Sequence, residues 1–191
     1  MANTSSTGGY LQGHLLIAMP SIGDPRFDRT VIYLCAHSAT GAMGIVLNKL
    51  LDNIAFPDLL DQLNIKAGPA NAQIRVHYGG PVESNRGFVL HSADFVREGT
   101  ALVGQNIGLT GTLDVLRAMA LGQGPKRALL ALGCAGWAPG QLDSEIQANG
   151  WLTAPADPDL IFSPDIGDTY GRAFAKIGID LGALHSTAGH A

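Results

Sequence analysis

Two short stretches hold most of the chemistry this chain can offer. The first is Gly136-Trp137-Ala138-Pro139-Gly140-Gln141, followed by Glu145. Gln141 and Glu145 stand four apart, so on a helix they share one face near its positive end while Leu142 and Ile146 take the other. This arrangement can display oriented polar groups beside the apolar area of Trp137 as a binding lip. The same residues can equally serve the scaffold, with Gln141 as a cap, Glu145 complementing the helix dipole and Trp137 in the core. The second stretch is Gly79-Gly80-Pro81, directly after an apolar run. Two glycines before a proline permit positive φ and an abrupt change of direction. They predict a tight hairpin-like turn or a backbone cradle for an anion or a peptide.

Familiar catalytic signatures are absent: there is no phosphate-binding P-loop, H-E-x-x-H, G-x-S-x-G, calcium-binding loop or dinucleotide-binding glycine fingerprint. His37-Ser38 and His91-Ser92 are neighbours in sequence, but adjacent side chains on a strand point to opposite faces and do not form a nucleophile and base. Six histidines without a close pair on one face imply no metal cage, and no cofactor is expected. Cys35 and Cys134 lie in apolar runs without C-x-x-C spacing, which predicts buried, reduced thiols.

These residues need elements to position them. Short apolar runs predict strands over His14–Ala18, Thr30–His37, Met43–Asn48, Ile74–Tyr78, Gly87–His91, Arg127–Cys134 and Trp151–Ala154. Three-and-four spacing predicts helices over Phe56–Leu63 and Thr112–Leu121, a third from about Pro139 to Asn149, and a fourth starting near Asp168 and ending before Gly178. Strands and helices in similar number give an α/β layered domain with a mixed sheet. Val31, Tyr33, Ile45, Leu47, Leu129 and Leu132 are its expected core. At 191 residues and 46% hydrophobic, the chain suits one domain over residues 11–181, with a disordered tail at 1–10 and a frayed one at 182–191. No window reaches the roughly 18 to 20 apolar residues of a membrane span, and Met1 to Gly9 lacks the basic and apolar regions of a signal peptide, so the chain reads as cytoplasmic.

A series of motifs in fixed order then carries a resemblance: Gly13-His14-Leu15-Leu16-Ile17-Ala18-Met19-Pro20, Phe27-Asp28-Arg29-Thr30-Val31-Ile32-Tyr33-Leu34, Gly41-Ala42-Met43-Gly44-Ile45-Val46-Leu47-Asn48-Lys49, Gly79-Gly80-Pro81-Val82, Gly87-Phe88-Val89-Leu90-His91, Gly136 to Leu142, and Glu145-Ile146. From about Gly13 to Asp180 the chain resembles the YqgE/AlgH family of bacterial proteins. It departs from the family pattern at Ala36 (often an acid), Leu50 (often a proline), Cys134 (usually a tyrosine) and Tyr170 (frequently a tryptophan). The resemblance implies a single-domain α/β sandwich, a mixed β-sheet flanked by helices, without an established enzymatic activity. Some members carry a transcriptional-regulator label on genetic grounds.

The leading expectation is a non-enzymatic regulatory or interaction protein, a monomer or weak homo-oligomer. It would bind a protein or small-molecule partner in a shallow cleft built from Phe27, Asn48, Gly79, Gly80, Pro81, His91, Gly136, Trp137, Gln141 and Glu145. The alternative is an enzyme using His91 and Glu145 as acid and base with Arg26 as anion holder, which requires the three to converge. Direct nucleic-acid recognition is disfavoured, because 12 Lys plus Arg against 16 Asp plus Glu leave a net charge of −4. Duplex DNA should therefore bind weakly, without sequence preference, and less as salt rises. A mobility-shift titration checks this, and tight binding of one promoter fragment at physiological salt overturns it.

Overall fold

A strand made wholly of buried apolar residues needs cover on both faces, because successive side chains point in opposite directions. Strand β1 (Leu15–Ala18) is of this kind: Leu15 and Ile17 enter one apolar cluster, Leu16 and Ala18 another. Strands β2 (Val31–Ser38) and β3 (Gly41–Val46) obey the same division, with Val31, Tyr33 and Ile45 on the first side and Ile32, Leu34 and Val46 on the second. The computed structural model describes residues 10–68 and 73–182. Within them the sheet is completed by β4 (Val76–Tyr78), β5 (Val82–Ser92), β6 (Thr100–Val103), β7 (Ile107–Thr110), β8 (Ala128–Trp137) and β9 (Trp151–Ala154). The strands run in the order β6-β7-β5-β8-β3-β2-β1-β9, each antiparallel to its neighbours. Strand β4 joins β8 in parallel, which makes the sheet mixed.

The sheet curls. The Tyr33 hydroxyl on β2 donates to the Val103 carbonyl on β6, at the far end of the strand order, over 3.3 Å. Its inner face is closed by α4 (Pro158–Ile161) and α5 (Thr169–Lys176), which contribute Leu160, Ile161, Tyr170 and Phe174. Tyr170 also donates its hydroxyl to the Ala18 carbonyl at 2.6 Å. Outside, α1 (Phe56–Gln62) and α2 (Leu113–Ala120) cover Val76, Val89 and Leu130, while α3 (Gln141–Gln147) covers the β1–β2–β3 side through Leu142. Cys35 and Cys134 are unpaired and buried, and burial pushes the Cys35 thiol up to about 12.

Several expectations need correction. Leu132 is only partly buried, at the edge of the α1–α2 cluster. The third helix starts at Gln141 rather than Pro139, because Gly140 takes a left-handed φ of 73°. Strand β5 begins at Val82, five residues early, and the hairpin β6–β7 and helix α4 were not anticipated. Apart from Tyr10 and Gly182, the expected loose ends at 1–10 and 182–191 lie outside the described residues.

The Gly79-Gly80-Pro81 segment is not a hairpin turn. Tyr78 pairs with Leu132 on one edge of β8, and Val82 pairs with Cys134 on the other edge. Three residues must therefore carry the chain across the face of β8. Gly79 is held between strands, donating to the Leu132 carbonyl and accepting from Val46 N–H, each at 2.9 Å. A Cβ on Gly80 would stand 2.1 Å from the Cys134 carbonyl carbon, and its φ of 149° suits no L-residue. Gly80→Ala should therefore cost more than about 3 kcal/mol, combining backbone strain with overpacking. Gly122→Ala, also at positive φ but with nothing within 4 Å, should cost only about 1 kcal/mol. Urea denaturation of both variants measures the difference, and equal losses would mean that the crossing is not tightly packed.

Candidate functional site

Strand β8 ends on Trp137, β9 begins on Trp151, and α3 lies between them with Glu145 turned toward both. Trp137 Nε1–H and Trp151 Nε1–H each donate to Glu145 Oε2 at 2.8 Å. Gln141 Nε2–H donates to Glu145 Oε1 at 3.1 Å, and Gln141 Oε1 accepts the Ala138 N–H at 2.9 Å. The two indoles meet edge to face with centroids 5.9 Å apart, and Phe27 meets Trp151 in the same manner at 5.6 Å. Such contacts fix ring orientation. Of the roughly four lone-pair sites on a carboxylate, three are occupied here. Glu145 is thus a pinned acceptor holding two aromatic rings, with little capacity left to act as a base.

Above this floor is a cleft of about 260 Å³, lined by Ile22, Asp24, Arg26, Phe27, Pro81, Val82, Gly136, Trp137, Gln141 and Glu145. Arg26 is exposed and bound to Asp24 at 2.6 Å, and this partner holds the Asp24 carboxyl below the usual carboxylate range. The guanidinium also stands 5.8 Å from the Phe27 ring centre. Phe27, Pro81, Gly136, Trp137, Gln141 and Glu145 therefore share one cleft with Arg26.

The remaining candidates lie elsewhere. Asn48 splints two strands' approaches: its Oδ1 accepts Val31 N–H and its Nδ2 donates to the Arg29 carbonyl, both at 2.9 Å. Gly79 and Gly80 serve the chain crossing and do not line the cleft. His91 is fully buried on β5, paired with Thr110 Oγ1 at 2.8 Å and the Ser92 carbonyl at 2.9 Å. Gly108 lies so close that a Cβ there would come within 2.4 Å of the imidazole. His91, Glu145 and Arg26 consequently do not converge, and the acid–base arrangement considered from sequence is not formed. The sequence reading missed Trp151, although it is one of only two tryptophans in the chain and opens a strand beside Gly150. Among the described residues no group of three His, Cys, Asp or Glu side chains is placed to hold a metal ion.

Comparison with known proteins gives a consistent relationship. A family profile described as AlgH-like matches residues 15–182. A UPF0301 protein of Rhodospirillum rubrum is 56% identical over 183 residues, covering 96% of this chain and 95% of that one. Another from Bradyrhizobium diazoefficiens is 58% identical over 194 residues, covering 97% and 91%. The solution structure of the AlgH protein from Pseudomonas aeruginosa superposes with a TM-score of 0.81 at 41% identity, over 100% of both chains. The crystal structure of a Corynebacterium diphtheriae protein gives 0.68 at 25% identity over 84% of each.

Both tryptophans sit on the same carboxylate, so selectively excited tryptophan emission reports on this cluster. Glu145→Ala strands two indole N–H groups, at about 1 to 3 kcal/mol each. The variant should lose roughly 3 kcal/mol of stability and shift its emission to the red. Unchanged emission and an unchanged denaturation midpoint would show that the carboxylate does not hold the rings.

Proposed function

The chain belongs to the AlgH-like family, and on that premise we propose that it is a non-enzymatic regulatory or interaction protein whose cleft receives a side chain of a protein partner. The observation that carries this reading is the pinned Glu145. Three donors immobilise it, so the aromatic floor is organised before any partner arrives and little ordering cost remains for binding. The cleft's volume of about 260 Å³ lies below the roughly 300 to 1,000 Å³ of small-molecule sites, which favours an inserted side chain over a free metabolite. Its rim is polar, with Arg26 and Gln141 exposed, as protein interfaces are at their edges.

Any influence on transcription is exerted through that partner, since an excess of acidic over basic residues provides little for phosphate contacts. We place the role in the cytoplasm, where two unpaired buried thiols remain reduced.

Arg26 offers the cleanest test. Its ion pair with Asp24 is exposed and contributes little to stability, whereas Gln141 also caps α3 and would confound the result. Arg26→Glu should leave the melting temperature within about 2 °C, because surface changes of this kind stay within roughly 0.5 kcal/mol. It should nevertheless abolish capture of the partner that wild-type protein retains from native lysate. Undiminished capture of the same partner overturns the assignment.

A further inference from the structure

At the opposite end of β8 from Trp137 a second cleft of about 390 Å³ opens. It lies between His77 of β4 and the segment leading to it (Gln73, Arg75), the α2–β8 connection (Gly122 to Lys126) and the end of α4 (Ile161 to Ser163). Its wall carries two cations, Arg75 and Lys126, and no Asp or Glu among the described residues. Behind the wall stand Arg172, whose Nη1–H donates to Ser163 Oγ at 3.0 Å, and two carboxylates: Asp94, which accepts the Lys126 backbone N–H at 3.0 Å, and Asp157, which feels the Arg172 charge. In a protein of net charge −4, a wall with cations only is a departure that favours anions locally. Apolar area is supplied by Met119, Leu129, Ile161 and Phe162.

His77 provides an independent sign. It lines this cleft, is only 6% exposed, and its Nδ1 is buried without a hydrogen-bond partner. Buried polar atoms in native proteins are nearly always paired, so an orphaned one calls for an explanation. Burial first, and the Arg75 charge second, push the imidazole down to about 4, against hydrogen bonding to the Leu130 and Arg75 backbones, which favours the charged ring. The ring is accordingly neutral near pH 7, with one N–H and one bare nitrogen, and only Nδ1 is left without a partner.

The geometry points to a binding site for an organic phosphate with an apolar body, its phosphate held by Arg75 and Lys126 and contacting His77. Two lining cations with no carboxylate in the lining suit a phosphate, and a volume of about 390 Å³ falls within the range of small-molecule sites. This site is separate from the Trp137 cleft, and neither assignment depends on the other.

The test uses the full chain and 1-naphthyl phosphate as probe, followed through the imidazole resonances of His77. Saturable shifts are expected, with 1-naphthol and inorganic phosphate each binding at least tenfold more weakly. Arg75→Ala and Lys126→Ala are exposed substitutions that should each weaken binding about tenfold, the scale of one charge-assisted hydrogen bond, without altering tryptophan emission. Four outcomes would overturn the proposal: no binding of the naphthyl phosphate, binding that leaves His77 unmoved, equal binding of naphthol, or wild-type affinity in both alanine variants.

Discussion

The contact of Gly79 and Gly80 with Gly133, Cys134 and Ala135 is where one backbone lies directly on another, and the rest of the sheet is arranged around it. Because β4 leaves β8 on one edge and β5 returns on the other, the chain has no route that avoids the face of β8. Gly133 completes the contact from below with a φ of 77° and a virtual Cβ 2.4 Å from the Gly80 carbonyl. This crossing lets β4 wedge between β3 and the early part of β8, while β3 itself pairs only with the last residues of β8. It also delivers Pro81 and Val82 to the side of the sheet where Trp137 ends β8. The wall of the cleft is thus a by-product of the topology.

Around that crossing, stability comes from a sheet used on both faces. The inner cluster gathers residues from strands at opposite ends of the order, which is possible only because the sheet curls, and α4 and α5 cap it. The outer face is divided between α1–α2 and α3. Helix α3 is short and buries only Leu142 completely, so apolar area alone anchors it weakly. Glu145 compensates by joining the helix to the first residue of β9 and the last of β8 through their indoles. The same bonds that secure the helix therefore also shape the cleft floor.

Much of this was legible in the residues. The nearly unbroken apolar run from Thr30 to His37 reads as a strand covered on both faces, and the stripes of α1, α2 and α5 are regular enough to read directly. Of the ten residues expected to form a cleft, Phe27, Pro81, Gly136, Trp137, Gln141 and Glu145 line one depression, and Phe27 stood out only within a motif of the family resemblance. What was hidden is long-range. The hairpin β6–β7 is half exposed, and its apolar residues alternate too weakly to stand out. Gly79-Gly80 permits a reversal and a crossing equally well, and only the position of β8 decides between them. His91 looked available for chemistry because polarity is visible in a sequence and burial beside Thr110 is not.

The terminal strands of the order have a further consequence. Both β6 and β9 are only four residues long, although the interior strands β5 and β8 run to eleven and ten. An outer strand offers unpaired amides and carbonyls to any passing chain, and the hazard grows with the length of that offer. Among the described residues, each end of the strand order therefore offers a template only four residues long for a foreign strand, while the longest strands pair on both sides over their buried stretches. The taper therefore shortens the backbone open to strand addition at the two places where a sheet most invites it.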